Sequence, residues 1–313
     1  MKTCQIRGGR RVGLWPLALV QLGLFISPAL AADAPPPADP PVWARRYKEG
    51  EKFVYRMKAT NRGRQGTLSY EAQANGVVKK DAQGKFYEEF AWSNLVVNKA
   101  PMALAPASAS FRQVLALPPD VKMAIPDLSR VQPILIGPIT DLMTFYADMV
   151  VAAGAGGKAK AGDHFYFKHG APSSWADGVR VVTGEDSVDF EVTVKEIDRA
   201  NQTATILVRH VPPEKPRIKL AAEWMRAPVA DSPNNWVEVT KTANGKFVAA
   251  VGKETFDVQI KASLVDGRIL SAREDNPVDV LERECADAAL TQASSPVRYQ
   301  IRRQIEIYGQ RGD

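Results

Sequence analysis

Apolar and polar positions alternate with a period of two along much of the chain, which predicts strands with one buried face. In the run beginning at Glu51, Phe53, Tyr55 and Met57 share one side, while Lys52, Arg56 and Lys58 share the other. Leu68, Tyr70, Ala72 and Ala74 alternate in the same way, Gly84 supplies a turn, and 86–95 returns. Val188, Phe190, Val192 and Val194 alternate before a second turn, and Ala204, Ile206 and Val208 after it. Two tight hairpins follow at Asn244-Gly245 and Asp266-Gly267, dipeptides suited to the turns that match the twist of antiparallel strands. The first joins a strand from Trp236 to one from Phe247, and the second joins 256–265 to 268–272. The last strand carries Val297, Tyr299, Ile301, Ile305 and Ile307 on one face, interrupted by Arg303. Strands linked by hairpins predict an antiparallel meander and disfavour a parallel nucleotide-binding sheet.

Two segments follow helical spacing instead. Leu142, Phe145, Tyr146, Met149, Val150 and Ala153 form an amphipathic stripe, with Asp141, Thr144 and Asp148 on the opposite, solvent-directed side. Asn276 as N-cap and Pro277 in the first helical position predict a second helix running to about Gln292. Val278, Leu281, Cys285 and Ala288 would share one face of it. Between 100 and 138 seven prolines among apolar residues predict extended edges and turns.

The grammar recurs. GEKFVYR at 50–56 aligns with GDHFYFK at 162–168, SYEA at 69–72 with DFEV at 189–192, and the turn KKDAQGK with EIDRANQ. Asp81 then matches Asp198, and Gly84 matches Asn201, both tolerant of the left-handed region. The offsets of 112, 120 and 117 imply a diverged duplication with loops of unequal length.

The N-terminus changes the reading of charge. The 41 Lys and Arg against 35 Asp and Glu give a formal +6. Lys2, Arg7, Arg10 and Arg11 precede an apolar run from Val12 to Ile26, and Ala29-Leu30-Ala31 makes a small-residue cleavage site before Ala32. Without those four the balance is 37 to 35, a net charge of about +2, so the basic isoelectric point reflects an export signal and gives no argument for nucleic-acid binding. The run is broken by Pro16 and Gln21 and is short for a span, so cleavage is expected, leaving no transmembrane segment. Asp141 and Asp148 argue against a bilayer crossing at 134–153. The expected location is periplasmic or secreted. The expected division is a signal peptide over 1–31, a Pro-rich spacer over 32–42 and a first β-rich half with a C-terminal helix over 43–153. A linker over 154–161, a second β-rich half over 162–308 and a tail over 309–313 follow.

After cleavage Cys285 is the lone thiol and reads as a small buried hydrophobe. GAGGKAKAG at 154–162 fails the phosphate-loop pattern, because Ala152 stands at the first glycine position and Ala159 follows Lys158. His164 and His169 are five apart on a predicted strand and point to opposite faces, so they cannot share a metal. His210 reads as a structural histidine at a strand end, with Asp198 or Glu214 as neighbours if it were a base. Glu185-Asp186, Asp189 and Glu274-Asp275 lack calcium-loop spacing and read as solvated turns. No nucleophile elbow or zinc-protease motif occurs, and no catalytic residue, metal or cofactor is assigned.

What remains is apolar and aromatic surface. Phe145, Tyr146, Met149, Trp175 and Trp224 are the candidate ligand-binding residues, if helix and loops leave room for an apolar pocket; Trp236 reads as core. The expected fold is mainly β: a curved antiparallel sheet or open barrel built from two diverged repeats, with two helices packed on its concave side. At the level of fold alone this is similar to the half-barrel periplasmic carriers of lipids and lipoproteins, with no motif in common. The expected function is non-enzymatic binding of an apolar ligand, or of a lipidated or extended partner, in the concavity. An envelope structural or scaffold protein is the alternative, and a hydrolase with dispersed residues the third reading. A hollow left open favours the carrier, and a filled one favours the scaffold.

Overall fold

The predicted alternation places β1 (Lys52–Gly63) with Phe53, Tyr55, Met57 and Ala59 buried and Lys52, Arg56 and Lys58 exposed. The computed structural model describes residues 40–123, 126–168, 174–176, 180–183, 189–211 and 220–312. The export segment, most of the spacer, His169, Glu185-Asp186, Glu214, Asp313 and the side chain of Trp175 lie outside the described residues. β1 pairs with β2 (Gly66–Lys80), which pairs with β3 (Phe86–Val97). β4 (Ala100–Pro101) and β5 (Gln113–Leu115) lie on the outer side of β3, with the short helix α1 (Pro106–Ser110) between them. Helix α2 (Pro133–Ala153) follows, then β6 (His164–Phe167), β7 (Ser174–Ala176), β8 (Arg180–Thr183), β9 (Asp189–Asp198) and β10 (Thr203–Val211). A 3-10 turn at Glu223–Arg226 leads to β11 (Trp236–Lys241), β12 (Phe247–Glu254), β13 (Phe256–Ser263), β14 (Ile269–Cys285) and β15 (Val297–Arg311).

The architecture is mainly β, one antiparallel sheet that is open and curled, with two helices. Its long arm runs β3-β2-β1-β15-β14-β13-β10-β9-β6. Read in threes, β3-β2-β1, β15-β14-β13 and β10-β9-β6 each place the later strand first, so successive meanders wind in the same sense. β14 is the fork. Its first half pairs with β13 over Ile269–Asp275, and its second half pairs with β12 over Val278–Cys285. The branch β12-β11-β8-β7 leaves the sheet there and covers a small separate core of Met225, Val237, Ala249, Val251, Leu281 and Leu290.

The fork corrects one expectation. Asn276–Gln292 is not a helix; β14 runs straight through its start. Pro277 sits where β14 changes partners, so on that side its missing N–H breaks no ladder. The alternation of this strand is Ala272, Glu274, Asn276, Val278 and Val280 inward, and the two polar members concealed it. Glu274 and Asp189 are correspondingly buried and do not lie in solvated turns. The span 100–138 also differs from an irregular run, since it holds α1 and the first turns of α2, entered through Pro133.

The hairpin at Gly267 shows why its residue is glycine. Its φ is +74°, and a Cβ there would overlap the backbone of Ala44 and Arg45, which crosses the turn. Arg46 N–H donates to Asp266 O at 2.8 Å in that crossing. Gly245 has a similar φ of +82° but open space around it. Gly267→Ala is therefore expected to cost about 2–5 kcal/mol, combining left-handed strain with overpacking, while Gly245→Ala costs about 1–2 kcal/mol. Urea unfolding of the two variants side by side checks this; equal costs would refute the close packing at Ala44.

Candidate functional site

The concave face of the sheet is the natural place for a site, and α2 lies in it. The helix packs against β5, β9, β10 and β13. Of its 21 residues, 15 are buried, including the Asp141, Thr144 and Asp148 side expected to face solvent. A helix enclosed by sheet on several sides has no solvent face for polar residues to occupy, so each must find a partner inside. Phe145, Tyr146 and Met149 are all buried in the main core. Tyr146 stands edge-on to Tyr55 and Phe90, with ring centres 6.4 and 5.9 Å apart, and Phe90 meets Phe53 at 5.6 Å. Met149 borders a recess beside Trp43, Arg45 and Leu117 of about 10 Å³, room for one water. Trp224 belongs to the small core, where its Nε1 donates to Leu290 O at 2.8 Å and Arg283 lies over its ring. Phe145, Tyr146, Met149 and Trp224 thus divide between two cores, and the Trp175 side chain lies outside the described residues. Trp236 is buried as expected.

Among the described residues, the polar partners of α2 form a buried network of carboxylates, tyrosines and bases. Tyr146 donates to one oxygen of Glu88, and the other accepts from Arg45 Nε at 2.8 Å. Arg45 also donates to Glu51 at 2.9 Å, and Arg268 approaches the same carboxylate at 3.3 Å. One turn earlier on the helix, Asp141 accepts from Tyr70 of β2 and from Arg303 of β15. Asp148 lies 2.7 Å from Nε2 of His210 on β10. Glu274 of β14 projects toward the same region, and Asn276 donates to Glu254 at 3.1 Å beside it. Burial pushes the Asp141 carboxyl up to about 6 against the pull of Arg303. It likewise raises Asp148 against His210, Glu88 against Arg45, and Glu274 most strongly, with Asp141, Asp148 and Glu254 adding to the rise.

From the sequence, Tyr146 is a ligand-binding candidate, Asp141 and Asp148 the polar side of the helix, Glu274 part of a solvated turn, His210 a structural histidine and Arg303 a break in its strand, with none of them paired to another. His210 is partnered by a helix residue 62 positions away, not by Asp198. Two signals were present: Arg303 breaking the apolar face of β15, and Asp141 and Asp148 seven apart on an otherwise apolar helix. Among the described residues neither histidine lines a cleft. His210 is enclosed between Phe190 and Phe256, and His164 is exposed with Nδ1 3.0 Å from Thr193 Oγ1. No group of three or more His, Cys, Asp or Glu suited to a metal ion occurs among the described residues.

Cys285 is buried at the end of β14, and burial raises its thiol above the ordinary value. Native protein is therefore expected to resist a thiol reagent and to react fast once denatured. Rapid labelling under native conditions would contradict that burial.

By length and composition α2 is apolar enough to cross a membrane, but 78% of the window that qualifies is buried inside this fold. No protein-family model matches the chain, and no curated protein sequence is detectably similar to it.

Proposed function

We propose that this is an exported, non-enzymatic structural or scaffold protein of the cell envelope that engages its partner from outside the curled sheet. The observation that carries this reading is α2 filling the concave face. Leu135, Ile139, Leu142, Phe145, Tyr146 and Met149 are each at most 3% exposed. Withdrawing these six would forfeit roughly 9–18 kcal/mol at about 1.5–3 kcal/mol each. That matches or exceeds the whole stability of a typical domain, about 5–15 kcal/mol. A small apolar ligand cannot enter the hollow by a side-chain adjustment. Export is supported by the basic, apolar and small-residue segments at the N-terminus. A diverged duplication is supported by the matched motifs falling on β1-β2-β3 and β6-β9-β10, which pair in the same order.

The described outer strands β4, β5, β6 and β7 have two, three, four and three residues, short enough to discourage edge pairing. The broad outward face is the larger surface, and cross-strand ion pairs such as Arg302–Asp275 and Arg209–Asp257 lace it. Photo-crosslinkers placed in cells at outward positions Arg56, Lys261 and Gln300 test the proposal. The expected result is a discrete adduct from one of these positions, absent when the crosslinker replaces inward Ile305.

A second reading, a carrier in which an apolar chain exchanges with α2, is favoured by the aromatic lining of Phe53, Tyr55 and Phe90. Native mass spectrometry separates the two. A stoichiometric amphiphile that co-purifies and rebinds after delipidation would replace the scaffold reading with the carrier.

A further inference from the structure

We infer that the interior of this protein is a proton-binding site: at neutral pH the folded chain holds a proton on Glu274, between α2 and the sheet, and the seat of α2 loosens when that proton leaves. The inference is independent of the scaffold reading and concerns the body of the fold. Glu274 is 4% exposed and points inward from β14. Among the described residues, the titratable groups that act on it most are Arg303 from β15, Asp141 and Asp148 from α2, and Glu254 from β12. Behind these, Tyr70 of β2 faces Asp141, and His210 of β10 faces Asp148.

Among the described residues, the two neighbouring groups able to carry positive charge each meet a different carboxylate. Arg303 donates to Asp141, and His210 lies 2.7 Å from Asp148. Glu274 has neither of these two bases as its ion-pair partner, and its Oε2 has no hydrogen-bond partner. An ionised carboxylate in that position would be desolvated and surrounded by like charge, whereas the protonated acid is neutral and gains a donor. Burial, then the neighbouring carboxylates, raise its proton affinity in the folded state, with Arg303 opposing.

The sign follows from linkage. A carboxyl that binds its proton more tightly when folded contributes stability fully present below its ordinary value of 4.5, and that contribution is lost as pH rises through the raised folded value. Asp141, raised from 3.8 to about 6, acts in the same direction. Outward carboxyls act oppositely: hydrogen bonds from Arg302 hold Asp275 low, so its contribution is lost as pH falls. The raw profile sums both kinds, and a difference between variants isolates Glu274.

The test uses the full chain and Glu274→Gln, which keeps the shape of the acid without its charge. Unfolding equilibria and amide exchange of α2 are followed from about pH 5 to about pH 9, where a titrating group shifts the equilibrium by up to about tenfold per pH unit. The expected result is that protection of α2 falls with rising pH in the wild type beyond the base-catalysed trend, and that E274Q flattens this fall. An infrared band of a protonated carboxylic acid should be present in the wild type at neutral pH and diminished in the variant. If E274Q does not fold, Glu274→Met removes the same charge and serves instead. Parallel pH profiles, or an unchanged infrared band, would overturn the inference.

Discussion

Replacing Arg303 by methionine is expected to destabilise the protein by about 3–5 kcal/mol, because it strands a buried carboxylate. Arg303 enters from β15 and donates to Asp141 in the middle of α2, with side-chain exposures of 10% and 2%. Methionine fills much of the same volume, so the loss reports charge and not a cavity. The double variant Asp141→Asn with Arg303→Met should recover a large part of the cost, since neither partner is then left charged. Urea denaturation near neutral pH gives both numbers. A single-variant cost below about 1 kcal/mol, the scale of an exposed ion pair, would mean that the pair is solvated and that α2 is not held there.

Phe145→Ala is expected to cost about 3–5 kcal/mol, the range for removing a large aromatic ring from a close-packed interior. Phe145 is 0% exposed and sits on the face of α2 expected from its stripe. Val265→Ala is the control: Val265 is 56% exposed, and its change should stay within about 0.5 kcal/mol. The result bears on function as well as stability. A loosely seated helix that yields its place to a ligand would lose little on truncation. A small cost at Phe145 would therefore revive the carrier reading, and the expected large one supports a permanently filled sheet.

Much of the fold was legible because strand alternation is a local signal. Phe53, Tyr55 and Met57, the β9–β10 pair, and the hairpins at Gly245 and Gly267 were read from neighbours within a few residues. β14 was not, because its inward positions Glu274 and Asn276 are polar: Asn276 donates to Glu254 and to Thr255 O, and Glu274 faces Arg303 of β15 and the carboxylates of α2 across the interior. With polar residues on its core face the segment loses its period of two, and Asn276-Pro277 then imitates a helix start. α2 starts earlier than its apolar stripe predicts, because Pro133 and Pro138 fall in the segment expected to form extended edges and turns, although Pro133 suits a first helical turn and Pro138 lies within the helix. Of the candidate ligand residues, composition identified large apolar groups. Whether they line a recess or fill one depends on packing partners that no local pattern records.

Order within each strand and turn, and the predominance of antiparallel β structure, follow from periodicity and from residues that tolerate special backbone angles, which act over a handful of positions. The placement of α2 inside the sheet, the union of Asp141 with Arg303 and of Asp148 with His210, and the burial of Glu274 beside them arise from contacts between residues as many as 162 positions apart. Charge and desolvation are properties of the space around a group. A carboxylate that reads as solvent-facing on an isolated helix becomes an interior anchor once strands close round it.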